Sequence, residues 1–183
     1  MGMVSTSERI LDTAQALAQV RGYNGFSYAD ISAELAITKP SIHYHFPSKA
    51  RLAEALIARY RRRFAAARQE AGDAAAGVRE RLAGYARLYA EVFADGGRMC
   101  LCGVFAADAA SLPPEVRRAT AAFAEAGLPA ARARGAAQAF LAALEGALLL
   151  ARAGAAGAGE APGSAPEDGV VLGVAGTMLD ALL

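Results

Sequence analysis

Two helix-start signals stand eleven residues apart in this chain, Ser27-Tyr28-Ala29-Asp30 and Thr38-Lys39-Pro40-Ser41, so whatever lies between them is one short helix and a tight turn. Ser27 with Asp30 three residues later forms a capping box, after which Ile31 and Leu35 share a helix face. Thr38 caps the second helix. Pro40 sits in its first turn, where a missing N–H costs little, and Pro47 ends it after Phe46. Ser48 caps a further helix from about Lys49 to Gly72, with Leu52, Leu56, Tyr60 and Phe64 four apart along one side. Ahead of the pair, Ser5 and Glu8 form another capping box. They open an amphipathic helix through Ile10, Ala14, Leu17, Ala18 and Arg21 that Gly22 stops.

Two short helices joined by Ala36-Ile37-Thr38 and backed by a supporting helix are what a helix-turn-helix requires. Ile31, Leu35, Ile37, Ile42 and Phe46 make its brace. The remaining residues of the second helix, Thr38, Lys39, Ser41, His43, Tyr44 and His45, are rich in donors on an element too short to bury much, a composition suited to phosphates and base edges.

The rest of the 183 residues continues the helical pattern. Hydrophobic residues make up 55%, much of it alanine, which favours helices in close contact over a sheet. The spacing predicts helices over about Ala74–Ala94, Cys100–Ala110, Pro114–Ala126, Pro129–Arg152 and Val170–Leu183, and a flexible Gly/Pro-rich loop over Gly154–Gly169. The expectation is an all-α chain of about nine helices. A three-helix DNA-binding domain over 1–50 would be followed by a C-terminal helical domain over 51–183.

Charge divides along the same line. Residues 1–70 carry ten Lys/Arg against six acids, a surplus of +4, which leaves −3 for the remainder. Other classes find little support. There is no G-x-S-x-G, phosphate loop or dinucleotide fingerprint, so no catalytic residue and no cofactor is expected. His43 with His45, and Cys100 with Cys102, are i, i+2 pairs whose side chains diverge on a helix, so no metal is expected either. The apolar stretches around 136–144 and 146–151 are split by Glu145 and closed by Arg152, too short to span a bilayer. Two cysteines and the lack of an apolar leader point to the cytoplasm. The competing class is a cytosolic ligand-binding or adaptor protein that does not read DNA.

The stretch from Gly25 to Lys49, Gly-Phe-Ser-Tyr-Ala-Asp-Ile-Ser-Ala-Glu-Leu-Ala-Ile-Thr-Lys-Pro-Ser-Ile-His-Tyr-His-Phe-Pro-Ser-Lys, closely resembles the signature of the TetR/AcrR family of transcriptional regulators. Pro40 stands where that family usually has Gly, and His43-Tyr44-His45 replaces its commoner Tyr-His-Tyr. The resemblance implies DNA contacts by Ser27, Tyr28, Thr38, Lys39, Ser41, His43, Tyr44 and Lys49, with operator double-stranded DNA as partner. It also implies a small-molecule effector acting on the C-terminal helices, whose inner face would include Phe64, Tyr85, Tyr89, Phe93, Phe105 and Phe123. Arg59 and Arg61–Arg63 are expected to form a solvated face. Residues 98–117 resemble a branch of the family in which a cysteine opening the sixth helix senses electrophiles, which places Cys100 in the effector region.

Homodimerisation is implied too, through the last two long helices. The pattern agrees: Phe140, Leu141, Leu144 and Leu148, with Val174, Met178 and Leu179, form apolar stripes near the chain end.

Overall fold

The computed structural model describes residues 5–126, 134–157 and 169–182. Nine helices and no strand occur among them: α1 (Thr6–Arg21), α2 (Tyr28–Leu35), α3 (Lys39–His45), α4 (Lys49–Asp73), α5 (Val78–Ala94), α6 (Leu101–Ala107), α7 (Pro114–Ala126), α8 (Arg134–Gly157) and α9 (Gly169–Leu182). The expected boundaries hold to within a few residues for α1 to α7 and for α9. The proposed start of α8 at Pro129 lies outside the described residues, as does most of the loop expected over 154–169. Its first four residues, Gly154 to Gly157, continue α8. Glycine in a helix costs about 1 kcal/mol relative to alanine, and the neighbouring alanines are strong helix formers, so two glycines did not end it.

The chain forms two compact units. One holds residues 1–62 and 101–125, the other 63–100 and 126–183. Packing therefore divides the chain differently from the functional boundary expected at residue 50: α6 and α7 fold with the first three helices.

In the first unit α1 packs on α2, α3 and α6. Its core joins Ile10, Ala14 and Ala18 of α1 with Ile31, Ile42, Leu52, Leu56 and Ile57, then Leu101, Phe105 and Val116. Burying each of the larger aliphatic or aromatic side chains contributes about 1.5–3 kcal/mol. A polar staple joins α1 to α4. Arg59, only 4% exposed, donates from Nη1 to Glu8 Oε2 at 3.0 Å and Asp12 Oδ1 at 2.8 Å, and from Nη2 to Gln15 Oε1 at 3.0 Å. This corrects the expectation of a solvated face for Arg59. Arg61, Arg62 and Arg63 are exposed.

The second unit is built on α5, α8 and α9, which pack on one another. Ala86, Tyr89, Ala90 and Phe93 of α5 meet Phe140, Leu144, Ala147, Leu148 and Ala151 of α8 and Val171, Ala175 and Leu179 of α9. Each helix contributes residues three and four apart, the 3.6-residue period that the sequence displays. No described helix is long and apolar enough to cross a membrane.

Candidate nucleic-acid interface

The geometry of α2 and α3 begins with their caps. Ser27 Oγ accepts the N–H of Ala29 at 3.2 Å, while Asp30 Oδ2 accepts both the Ser27 N–H at 2.8 Å and its hydroxyl at 2.7 Å. These bonds, the hydroxyl's foremost, hold the Asp30 carboxyl below its usual range, and Arg21 at 3.3 Å adds to the effect. The turn then reverses through Ala36, which takes the left-handed conformation at φ 52°. Ser32 secures it from two sides. Its carbonyl accepts the Ile37 N–H at 3.2 Å and its hydroxyl donates to Ile37 O at 2.5 Å. Sequence reading missed Ser32; a hydroxyl four residues before a left-handed turn residue is the signal that could have found it.

Thr38 Oγ1 accepts the Ser41 N–H at 3.4 Å, which starts α3 as expected. Ile42 is the fully buried residue of this helix, its anchor in the core. Around it Thr38, Lys39, His43 and Tyr44 are exposed and Ser41 is half-buried; Tyr44 reaches 84%. An exposed tyrosine and an exposed lysine on a helix of seven residues offer hydrogen-bond donors to a partner outside the unit.

His43 is held in place. Its Nδ1 lies 3.2 Å from Pro47 O, and because a carbonyl only accepts, Nδ1 carries the proton and Nε2 of the neutral ring is an acceptor. The ring also meets Tyr28 edge-on, with centroids 4.7 Å apart.

Two residues expected at the interface have work inside the unit. Tyr28 is buried, and its hydroxyl donates to Phe46 O at 2.8 Å. Lys49 is half-buried: Nζ donates to Phe26 O and stands 4.4 Å and 4.7 Å from the ring centres of Phe26 and Tyr23. Burial lowers the pKa of its ammonium, against the pull of Asp30 and Asp108. The sequence shows a lysine at a helix start; it does not show the two aromatic rings folded beneath it.

The residues expected around an effector fall into both units. Phe64, Tyr85, Tyr89, Phe93 and Cys100 belong to the second, where Phe64 meets Tyr89 edge-on at 5.3 Å and Arg68 lies 5.5 Å over Tyr85. Glu145 of α8 is there as well. Burial pushes its carboxyl up, and a hydrogen bond with the Cys100 thiol partly offsets this. Phe105 and Phe123 belong to the first unit, packed against Tyr23 at 5.7 Å and Tyr60 at 5.7 Å. Cys100 immediately precedes α6 and is 1% exposed, and Cys102 is buried inside it, so reagent reaches neither without local opening. An open cleft of about 330 Å³ between α4 and α5 is lined by Ala71, Ala74, Ala75, Glu80, Gly84 and Arg87, none of them expected.

Of the residues expected between subunits, Phe140, Leu144, Leu148 and Leu179 are buried within the second unit, while Leu141, Val174 and Met178 are half-buried. The exposed apolar residues of the same helices are Leu149, Leu150, Val170 and Leu172.

The family model for bacterial regulatory proteins of the tetR family matches residues 10–56, the segment that holds α2, the turn and α3. A TetR transcriptional regulator from Legionella pneumophila is 28% identical over 100% of both chains, with a TM-score of 0.86. Residues 10–56 thus match the TetR family, and the chain as a whole resembles its regulators. A second family member, from Agrobacterium tumefaciens, is 27% identical over 96% of each chain with a TM-score of 0.82. The fold extends to a regulatory protein TetR from Rhodobacter sphaeroides, 21% identical over 94% of this chain and 96% of that one, with a TM-score of 0.79. No curated protein matches in sequence. The segment that matches the TetR family contains a helix-turn-helix made of α2, Ala36-Ile37-Thr38 and α3.

Proposed function

We propose that this regulator is a cytoplasmic repressor that binds palindromic operator DNA as a homodimer and leaves it when a small molecule acts on the C-terminal helices. The observation that carries the DNA reading is the surface of α3: Thr38, Lys39, His43 and Tyr44 exposed, Ser41 beside them, and Ile42 rooting the helix in the core. Lys39 and Ser41 read base edges, and Thr38 and Tyr44 position the helix on phosphates. Tyr28 and Lys49 contribute by shaping the scaffold, and Ser27 by opening α2.

Two observations support a dimer through α8 and α9. Leu149, Leu150, Val170 and Leu172 are exposed large apolar residues on these helices, and Gly146 and Gly173 have open space where a side chain would stand. A dimer meets two half-sites about 34–36 Å apart, or a related spacing, at once, so a small effector-driven change in the separation of its recognition helices suffices for release. The aromatic residues of the second unit, Phe64, Tyr85, Tyr89 and Phe93, are the effector-facing candidates.

The test is selection of bound duplexes from a random-sequence pool, followed by titration of the selected DNA at several salt concentrations. A palindromic consensus and a steep fall of log K with log salt are expected, because the two subunits together neutralise several phosphates. A flat salt dependence and no consensus would instead favour an adaptor that binds ligand without reading DNA.

A further inference from the structure

Asp108, the residue after α6, places its carboxylate on the turn between α1 and α2. Oδ2 accepts the backbone N–H of Tyr23 at 2.8 Å. Three residues on, Ser111 Oγ accepts from Asn24 Nδ2 at 2.7 Å and donates to Asp108 O at 2.9 Å. Phe105, one turn earlier in α6, meets the Tyr23 ring edge-on. Residues separated by 85 and 87 positions in sequence thus form one clamp inside the first unit.

The turn is shaped to receive that carboxylate. The last α1 bond is Gly22 N–H to Ala18 O, so the next amide, Tyr23, has left the helix and finds its acceptor in Asp108. Gly22 has φ +78°, and a Cβ there would come within 2.7 Å of Asp108 Oδ2. The backbone conformation favours glycine at 22, and a Cβ there would push the carboxylate away from the Tyr23 amide.

What the turn carries matters for the interface. Lys49, which opens α4, rests on the Tyr23 and Phe26 rings and donates to Phe26 O; Ser27, the next residue, caps α2. The short α3 has Ile42 as its buried anchor, so its angle depends on the elements that flank it. We propose that Asp108 is a positioning residue for DNA binding: by accepting the Tyr23 amide it fixes the α1–α2 turn, and through the turn the starts of α2 and α4. It touches no DNA itself. The inference rests on the DNA-binding reading above.

The experiment uses the full chain and the duplex selected on the wild type. Asp108→Ala should bind it about tenfold more weakly at 25 °C, the scale of losing one charge-assisted hydrogen bond, with helical circular dichroism unchanged. Asp108→Asn keeps an acceptor for the Tyr23 N–H and should recover affinity to within about twofold. A folded Asp108→Ala with wild-type affinity overturns the proposal, as does an Asn variant as weak as the Ala variant. Should Asp108→Ala fail to fold, Asn24→Ala and Ser111→Ala loosen the exposed side of the same clamp. Each should weaken binding two- to threefold at an unchanged unfolding midpoint, and wild-type affinity in both overturns it. If the wild type itself selects no duplex, the DNA-binding reading has failed instead, and the two failures are distinguishable.

Discussion

The hydroxyl of Tyr28, first residue of α2, donates to the carbonyl of Phe46, the residue that closes α3, at 2.8 Å. One bond joins the start of the bracing helix to the end of the recognition helix. Tyr28→Phe keeps the ring and its contact with His43 but leaves a buried carbonyl without that donor, at a cost of about 1–3 kcal/mol. Denaturant unfolding should show that loss, together with weaker binding of the selected duplex.

The same hydroxyl gives a pH dependence. Burial pushes the Tyr28 phenol up to about 12 from its ordinary 10.0, so the folded state holds the proton more tightly than the unfolded one. Its contribution to stability is complete below pH 10 and is lost as pH rises from there through about 12. Wild type should lose stability over that interval more steeply than Tyr28→Phe, measured by urea midpoints. Parallel profiles would assign the alkaline loss to other groups.

Gly25 admits no side chain. A Cβ there would lie 2.1 Å from Arg21 O and 2.6 Å from Arg21 Cβ, so backbone must move. Gly25→Ala should destabilise by about 1–3 kcal/mol, the scale of overpacking, and lower DNA affinity with it. An alanine variant of unchanged midpoint would show that the turn relaxes freely.

Arg59 offers a way to separate packing from charge. Its partners Glu8 and Asp12 are about half exposed and return to water when the guanidinium is removed. Arg59→Met, which keeps much of the volume, should therefore cost less than about 1.5 kcal/mol, whereas Arg59→Ala opens a cavity and should cost about 2 kcal/mol or more. Equal losses in the two variants would show that the ion pairs, not the volume, carry the effect.

On α8, Leu144 is 0% exposed and Leu150 is 73% exposed. Leu144→Asp buries a charge without a partner and should abolish folding. Leu150→Asp should leave the helix content intact while sedimentation reports a monomer. A folded Leu150→Asp dimer would move the interface off this face.

Much of the first unit was legible because its signals are local. Ser27, Thr38, Pro40 and Pro47 act within one turn of themselves, so the helices they bound could be drawn to within a residue or two. Periodicity also identified the apolar faces of α8 and α9, but it could not assign them to a partner. Leu144 and Leu148 carry the same pattern whether they pack inside the subunit or outside it, and the structure buries them inside. Long-range pairings left no trace at all. Nothing around Tyr23 announces Asp108, and nothing around Arg59 announces Glu8 and Asp12, because a hydrogen bond across 47 to 85 positions has no period.

That discontinuity bears on how the protein is made. A ribosome adding roughly 5–20 residues per second delivers Phe105, Asp108 and Ser111 some seconds after the turn they close. Until then the nascent α1–α2 segment holds an amide without its acceptor and a Tyr23 ring without its neighbour. Transplanting residues 1–50 onto another body would freeze that unfinished condition, so a portable reader for chimeric regulators must take residues 101–125 along with it.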